Sequence, residues 1–451
     1  MARKSTPERD ALIADVLEKM RQELDAQLPE QPATLDQIED VAGKIGRQLS
    51  QQVQNRLVQQ HNKRARPPKI DCKCGAHARY KGQQERTLVT AHGNLPLRRA
   101  CYYCAHCQRT QAPTDNALGL DASSTTLQVR LWVALLAGRL PFAETASTLQ
   151  MLTAVCLSAG SVERLSVAIG RALRTKQNQT AQQHQANLLP EPTRVPAKRL
   201  YIGMDGVFVP LREPWKKDKS VGTLTCRYGE CKSGVVYETH QDSSGKDHRV
   251  RTCDYVSTMA TVETFGPLMG ALAHQQGHHT AREVVVIGDG APWIWQIAGK
   301  QFTGAIQIVD FFHAMEHLAK VAEARFGKST ADNKEWLRAR GAELKTNQLS
   351  KVLADLRAWR PSSTSKQQLR KSTYAYFHTN AERMRYQTFL EKGYHIGSGV
   401  VEATCKRVVA QRLDQAGMHW RQESAEAIVA LRSAQLSSSP PDLRPYCAMP
   451  A

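Results

Sequence analysis

Two apolar runs in the middle of the chain each end in an Asp-Gly pair, LYIGMDG at Asp205 and EVVVIGDG at Asp289. Short continuous apolar runs are typical of strands that are buried on both faces, and such strands occur where helices cover a sheet. Helical patterns follow the second run, so the sequence predicts a mixed α/β sheet with both acids at one end. The alternative is that each Asp-Gly pair is an ordinary turn.

A third acid, Glu402, lies just inside a predicted helix that Ser398 would cap. Lys406 follows one turn later on the same face, where it would pair with Glu402 or with a phosphate. Hard divalent cations prefer oxygen ligands, and two such ions can stabilise the attacking and leaving oxygens of a phosphodiester. The three acids therefore predict a catalytic site that binds Mg²⁺ or Mn²⁺. The alternative for Glu402 and Lys406 is a surface ion pair.

The charge of the chain fits a polyanionic partner. With 61 Lys and Arg against 42 Asp and Glu, the net charge is +19 and the pI is about 9.5. We expect the protein to bind DNA in a salt-dependent manner. Side chains near the third acid are predicted DNA contacts: Lys406, Arg407, Arg412 and Trp420. Trp420 would stack on an unpaired base, with core packing as the alternative. No apolar run is long enough to span a bilayer and the first residues do not resemble a signal peptide, so we expect a cytoplasmic, nucleoid-associated protein without a membrane partner.

Five of the 11 cysteines lie between Cys72 and Cys107, on either side of a predicted hairpin. The hairpin would bring together four thiolates in a structural zinc site of the zinc-ribbon type, formed by Cys72, Cys74, Cys104 and Cys107. The C-x-C half is tighter than the usual spacing, so His77, Cys101 or His106 is an alternative ligand. Free buried thiols are the alternative to a metal site.

Six regions are predicted along the chain. They are a helical N-terminal region with a basic linker (1–69), a zinc-ribbon-like module (70–117), a helical, helix-turn-helix-like DNA-binding region (118–185), the first part of the catalytic core (196–310), the intervening segment (311–395) and the core helix with the third acid (396–440). Within the third region, a helix starting near Ser158 or Ser161 would place Arg164 against DNA. An ordinary helical hairpin is the alternative.

Several motifs occur in the order found in one family: RACYYCAHC, YIGMDG, IGDGAPWIW, VDFFHAMEHL, YHIGSGVVEATCK and QRLDQAGMHW. From about residue 70 to residue 436 the chain closely resembles the DDE transposases of bacterial insertion sequences, in the ISKra-type group of the Mutator-like clan. The resemblance implies an RNase H-like domain with Asp205, Asp289 and Glu402 as the metal-binding triad. It implies that the segment 311–395 is a mostly helical insertion between the second acid and the third. It also implies binding to the element's terminal inverted repeats and to target DNA, strand cleavage, transfer of a 3′-hydroxyl, and assembly as a dimer or larger homo-oligomer.

The resemblance gives Asp310 and His313 an auxiliary place, because the wider clan has an acid or cysteine followed three residues later by histidine. The pair would orient the metal site or a phosphate. A capped helix start with a histidine whose hydrogen bonds are satisfied is the alternative.

Two other functions are compatible with parts of the sequence. HAMEH, from His313 to His317, matches the H-x-x-E-H motif of zinc peptidases, with Glu316 as the base. This motif is short, and it leaves the basic charge, the cysteine hairpin and the three acids unexplained. A DNA-binding regulator with a decayed catalytic domain would use the hairpin and the helices without chemistry.

Overall fold

The computed structural model describes residues 7–27, 34–62, 66–212 and 226–448. Residues 63–65 of the predicted basic linker lie outside the described residues. The chain divides into two compact units, Met1–Ser166 with Asp442–Ala451, and Val167–Pro441. In the described part of the chain, no helix is both long and apolar enough to cross a membrane.

The first unit begins with two helices, α1 (Pro7–Gln27) and α2 (Leu35–Asn62). Thr34 and Gln37 form a capping box at the start of α2. The Gln37 side chain accepts from the Thr34 amide at 2.9 Å, and the Thr34 hydroxyl accepts from the Gln37 amide at 3.4 Å. The sequence predicts this cap, because threonine followed three residues later by glutamine satisfies two amides that the helix leaves unpaired.

A four-stranded antiparallel sheet follows, in the order β1-β2-β3-β4. Its strands are β1 (Lys69–Asp71), β2 (His77–Thr90), β3 (Gly93–Cys104) and β4 (Arg109–Gln111). The long β2–β3 hairpin turns at Gly93, which has a φ of 104° that suits a residue without Cβ. It returns the chain to the cysteines beside β1, as the sequence predicts.

Helices complete the first unit. They are α3 (Pro113–Ala117), α4 (Leu127–Ala137), α5 (Phe142–Leu152), the start of α6 (Ala159–Gln185) and a short helix near the end of the chain (Arg444–Cys447). Apolar residues spaced along α4, α5 and the start of α6 bury a common core, made of Val129, Val133, Ala137, Leu149, Val155 and Val162. Helix α6 begins where the sequence predicts, next to Ser158.

The second unit contains a five-stranded mixed sheet in the order β7-β6-β5-β8-β9. Its strands are β5 (Arg199–Arg212), β6 (Cys226–Gln241), β7 (Asp247–Thr258), β8 (Glu283–Gly288) and β9 (Ile306–Val309). Strands β7, β6 and β5 pair antiparallel, whereas β5, β8 and β9 pair parallel. Helices α7 (Val262–Gln275) and α8 (Pro292–Gln301) lie between the parallel strands in sequence, which confirms the mixed α/β sheet.

The placement of Asp205 corrects one expectation. The sequence predicts that the strand ends at Asp205, but β5 continues to Arg212. Strand β6 pairs with it along this whole length, from Leu200 opposite Glu238 to Arg212 opposite Cys226. Asp205 therefore lies within β5, where it is paired with a residue of β6. Asp289, in contrast, directly follows the last residue of β8.

A helical segment separates β9 from the third acid. Its helices are α9 (Phe311–Phe326), α10 (Ala331–Lys345), α11 (Leu349–Ala358), α12 (Thr364–Thr379), a 3₁₀ turn (Ala381–Met384) and α13 (Tyr386–Glu391). These helices lie within the region predicted as the helical insertion (311–395), and we keep that name for it. Apolar side chains of this segment, such as Leu318, Val321 and Phe377, are buried.

The last elements are α14 (Gly399–Thr404), a π-helical turn (Cys405–Ala410), α15 (Gln411–Leu413) and α16 (Gln422–Leu436). A π turn widens the backbone and disturbs the regular i to i−4 hydrogen bonds. The buried guanidinium of Arg432, on α16, donates to the carbonyl oxygens of Val408, at 2.6 Å, and Arg407. Arg432 thus stabilises the π turn next to the helix that contains Glu402.

Helix α6 packs closely on α16 at Gly170. A Cβ on Gly170 would overlap with the carbonyl oxygen and the carbonyl carbon of Ala427. Since backbone atoms cannot move aside like the end of a flexible side chain, Gly170→Ala is expected to lower the free energy of unfolding by about 1–3 kcal/mol.

The matched control is Gly299→Ala on α8, where a Cβ would have no neighbour within 4 Å. That change should stabilise the protein by up to about 1 kcal/mol, because alanine favours a helix more than glycine. Urea unfolding of both variants measures the difference. Equal stability of the two variants would contradict close packing at Gly170.

Candidate functional site

The pairing of two parallel strands places Asp205 and Asp289 at the same level. Strand β5 pairs with β8 with Gly203 opposite Ile287. Asp205 and Asp289 each lie two residues after this pair in their own strand direction. The two carboxylates therefore occupy neighbouring positions where the pairing of β5 with β8 ends.

The backbone fixes one oxygen of each carboxylate. Asp205 Oδ1 accepts from the amide of Gly206 at 2.7 Å, and Asp289 Oδ1 accepts from the amide of Ala291 at 2.8 Å. Burial raises the pKa of Asp205 above its usual value, and the negative charge of Asp289 adds to the rise. The two acids are therefore close enough to repel each other electrostatically.

Glu402 reaches this region because α14 packs directly on β5. A Cβ on Gly203 would overlap with the side chain of Val401, so only glycine allows this approach. The Glu402 carboxylate is exposed and pairs with the ammonium group of Lys406 at 3.6 Å. The structure thus shows the surface ion pair that the sequence leaves open as an alternative.

Cys405 is a residue near the acids that the sequence reasoning misses. Its thiol donates to Asp205 Oδ2 at 3.6 Å. Burial raises the pKa of Cys405 far above its usual value, and the negative charges of Asp205 and Glu402 raise it further. A signal was present in the sequence, since Cys405 is three residues after Glu402 and so lies near the same helical face.

The donor set fits a hard divalent cation in its chemistry, because all three candidate ligands are carboxylates. The distances between the candidate ligand atoms are less favourable. Among the described residues, only the four cysteines form a group of three or more in which the ligand atoms all lie within 4.8 Å of one another. Asp205 interacts electrostatically with Asp289, and Cys405 lies near both Asp205 and Glu402, but the oxygens of the three acids do not converge on one point as closely as the sulfur atoms do.

Asp310 is an N-cap residue with further hydrogen bonds. Its Oδ1 accepts from the amides of Phe312 and His313, at 2.6 Å and 3.3 Å. Its Oδ2 accepts from the Ser398 amide at 2.8 Å and from the Ser398 hydroxyl. Ser398 lies at the N-cap position of α14 but its side chain does not cap that helix, which corrects the sequence prediction. Asp310 instead ties the start of α9 to the start of α14.

Two predicted DNA contacts need correction. Arg412 is 0 % exposed, and its guanidinium lies over the ring of Trp420, 4.9 Å from the ring centre. Trp420 is also buried, and its indole N–H donates to the carbonyl oxygen of Leu413 at 3.0 Å. Both side chains therefore belong to the core. Lys406 and Arg407 are exposed next to Glu402.

Arg164 lies on the exposed side of α6, near the helix start. Its guanidinium donates to the Ser161 hydroxyl at 2.9 Å. Helices α5 and α6 are joined by residues 153–158 and share a buried core with α4. This arrangement presents Arg164 at the surface, while its role in DNA binding stays a prediction.

The four predicted zinc ligands form the cluster in the first unit. The Cys72 sulfur lies 3.4 Å from that of Cys74 and 3.5 Å from that of Cys107, and the Cys74 sulfur lies 3.7 Å from that of Cys104. Sulfur atoms around a tetrahedral zinc ion are separated by about 3.8 Å, since each Zn–S bond is about 2.3 Å. The cluster is therefore of a size that can hold a structural metal such as zinc. His77, Cys101 and His106, the alternative ligands, are not in this group.

Local hydrogen bonds favour the thiolate form at two of the four cysteines, Cys72 and Cys104. The pKa of Cys74 is raised by its hydrogen bond with the Cys72 thiol, and burial raises the pKa of Cys107. The backbone N–H of Cys74 lowers the pKa of Cys72 to about 7, and the backbone N–H of Cys107 lowers the pKa of Cys104. The Gln111 amide also donates to the Cys72 sulfur at 2.7 Å. Thiolate is the form that binds zinc, and an outer hydrogen bond of this kind orients a metal ligand.

The histidines of HAMEH do not form a third metal group. His313 lies 3.4 Å from Glu316, nitrogen to oxygen, and 5.2 Å from His317 between ring centres. The His317 ring stacks on Tyr376, and burial lowers the pKa of His317 to about 4. No three His, Cys, Asp or Glu side chains of this region meet the distance that the cysteines meet, within the described residues.

Residues 38–440 match the model of a protein family described as "Uncharacterised protein family (UPF0236)". The chain belongs to UPF0236. Curated protein sequences give no significant match to this member of the family. Among solved structures, the chain is similar to one described as "Drosophila P element transposase strand transfer complex", with 9 % identity over 72 % of this chain and 81 % of that chain and a TM-score of 0.25.

Zinc content tests the cysteine cluster of this UPF0236 member. The purified wild-type chain is expected to contain one zinc ion, and Cys104→Ser is expected to contain none, because a neutral hydroxyl is a poor zinc ligand. Metal analysis by mass spectrometry measures the ratio of zinc to protein.

The matched control is Cys101→Ser. Cys101 is also a buried thiol of β3, but its sulfur lies 3.3 Å from the Gln84 side-chain oxygen and outside the cluster. This variant should retain its zinc. If Cys101→Ser lost its zinc and Cys104→Ser retained it, Cys101 would be the zinc ligand and the assignment of Cys104 would be wrong.

Proposed function

We propose that this protein is a transposase that binds the ends of a bacterial insertion sequence and catalyses metal-dependent DNA cleavage and strand transfer. The observation that carries the proposal is the register of β5 and β8, which puts Asp205 and Asp289 side by side. The contact of Val401 with Gly203 brings the Glu402 helix to the same strand. Three acids from distant parts of the sequence thus gather at one sheet.

The topology supports an RNase H-like catalytic domain. Three antiparallel strands are followed across the sheet by two parallel strands, and the first acid lies on the central strand β5. The second acid follows the neighbouring strand, and the third lies on a helix packed on β5. The helical insertion between the second and third acids fits the resemblance of the sequence to DDE transposases.

The basic residues support a nucleic-acid substrate. Lys406 and Arg407 are exposed beside Glu402, where their charges would neutralise the phosphate of the strand that is cut. Arg164 is exposed on α6, where it would contact a phosphate or a base edge. The net charge of +19 would attract DNA along the rest of the surface.

In the proposed reaction, Asp205, Asp289 and Glu402 would hold Mg²⁺ or Mn²⁺, which supplies charge stabilisation and an activated nucleophile. The backbone amides of Gly206 and Ala291 orient the two aspartates. A water oxygen first displaces the 3′-oxygen at the end of the element. The freed 3′-hydroxyl then displaces a 3′-oxygen in target DNA, so each step forms one P–O bond and breaks one. Because two ends react together, we propose a dimer or larger assembly on DNA.

Neutral variants of the three acids test the proposal. Asp205→Asn, Asp289→Asn and Glu402→Gln keep the size of each side chain but remove the charge that binds the metal. Each variant is expected to lose cleavage of the element ends while it binds the same DNA as the wild type. Gel electrophoresis of end-labelled DNA with Mn²⁺ measures cleavage, and a mobility shift measures binding.

Cleavage that persists in one variant would remove that residue from the metal site. If the wild type binds the ends but does not cut them under any metal condition, the protein would be a DNA-binding regulator instead.

Glu316→Gln separates the proposed transposase from a zinc peptidase. Glu316 is exposed and pairs with His313, so its loss should leave DNA cleavage close to the wild-type rate. A peptidase that uses HAMEH would lose its base and its activity. The same end-labelled DNA assay, run beside a casein hydrolysis assay, distinguishes them. Peptide hydrolysis by the wild type that stops in Glu316→Gln would overturn the transposase proposal.

A further inference from the structure

The turn after β8 is unusual in its backbone. Gly290, next to Asp289, has a φ of 101°, which L-amino acids with a side chain rarely adopt. The Asp289 carboxylate accepts from the Ala291 amide two residues later. The direction of this carboxylate therefore depends on the peptide group that joins Asp289 to Gly290.

A side chain from the helical insertion holds that peptide group. The hydroxyl of Tyr376, on α12, donates to the main-chain oxygen of Asp289 at 2.8 Å. The ring of Tyr376 occupies the place of a Cβ on Gly290, since such a Cβ would lie 2.6 Å from the nearest ring carbon. Tyr376 thus contacts the turn through both its hydroxyl group and its ring.

The tyrosine ring is itself fixed within the insertion. It stacks on His317 of α9, with ring centres 4.0 Å apart and planes 18° apart, and it meets Phe377 edge to face. Burial lowers the pKa of His317 to about 4, which favours the neutral imidazole in this stack. This contact gives the second histidine of HAMEH a structural role.

We infer that Tyr376 is a positioning residue through which the helical insertion holds the Asp289 turn in the geometry that binds metal. This inference rests on the proposed function and deepens it. The insertion then does more than separate the second acid from the third in sequence, because α9 and α12 form a support for the second acid. Tyr376 acts through Asp289 and does not itself contact the reacting atoms.

Tyr376→Phe tests the inference, because it removes the hydroxyl and keeps the ring against Gly290 and His317. Mn²⁺ binding without DNA, followed by the electron paramagnetic resonance signal of the free ion, is expected to weaken by about 10–100-fold, the range typical for loss of an outer-shell partner. The Mn²⁺ concentration for half-maximal DNA cleavage should rise by the same factor. Hydrogen exchange at the Ala291 amide should become faster.

Tyr374→Phe is the matched control on the same helix. Tyr374 stacks on His378 and lies under the guanidinium of Arg357, so its ring contacts differ from those of Tyr376. The control should bind Mn²⁺ and exchange at Ala291 as the wild type does. Equal stability of the two variants in thermal unfolding would show that both retain the fold.

The two possible failures are distinguishable. Unchanged Mn²⁺ binding and unchanged Ala291 exchange in Tyr376→Phe, with a wild type that binds Mn²⁺ and cleaves DNA, would overturn the positioning role alone. A wild type that binds no Mn²⁺ at the acids and cuts no DNA would overturn the proposed function and the metal role of Tyr376 with it.

Discussion

The parallel pairing of β5 with β8 is the constraint on which the candidate site depends. It fixes Asp205 and Asp289 at one level, because each follows the paired residues Gly203 and Ile287 by two positions. The same Gly203 allows Val401 to pack on the strand and so brings in the helix with Glu402. Gly203, in the centre of the sheet, therefore takes part both in the pairing that aligns the two aspartates and in the packing of the Glu402 helix. The buried network of Asp310 and Ser398 then fixes where that helix begins.

The cysteine module of the first unit and the sheet of the second unit differ in how much apolar surface they bury. The second unit buries many large apolar side chains around its sheet, including Tyr201, Ile202, Met204 and Phe265. Around the cysteines of the first unit, the buried residues are only Cys72, Ala78, Tyr102 and Cys104, within the part of the chain that the structure describes. A cluster of this size buries little apolar surface, so a metal that joins four thiolates would contribute much of the local folding free energy.

Much of the architecture follows from local patterns in the sequence. The buried strands, the cysteine hairpin and the capping box of α2 are specified by apolar runs, turn residues and spacing, and the structure confirms them. Local sequence patterns do not specify where the strand that contains Asp205 ends, because β5 continues for as long as β6 pairs with it. Likewise, serine is a common helix-capping residue, but the Ser398 hydroxyl donates a hydrogen bond to the Asp310 carboxylate and does not cap α14. In both cases a distant partner overrides the local preference.

Among the site residues, too, some positions follow from local sequence patterns and others depend on packing between distant segments. Arginine and tryptophan near a candidate catalytic acid suggest nucleic-acid contacts, but Arg412 and Trp420 are buried against each other. Sequence patterns do not reveal this, since the burial results from packing between distant segments. Tyr376 is 87 positions from Asp289, and no spacing rule connects them. Cys405 differs, because its position one turn after Glu402 already places it near the acids.

Iron-directed cleavage of the chain itself tests the central claim most directly. Fe²⁺ is added to the zinc-loaded protein, ascorbate and peroxide then generate hydroxyl radicals at the bound ion, and mass spectrometry maps the backbone cuts. A common metal centre predicts cuts near Asp205, Asp289 and Glu402 together, all suppressed by excess Mg²⁺. Cuts near one acid alone, or none at the three acids, would contradict a shared metal site in this sheet.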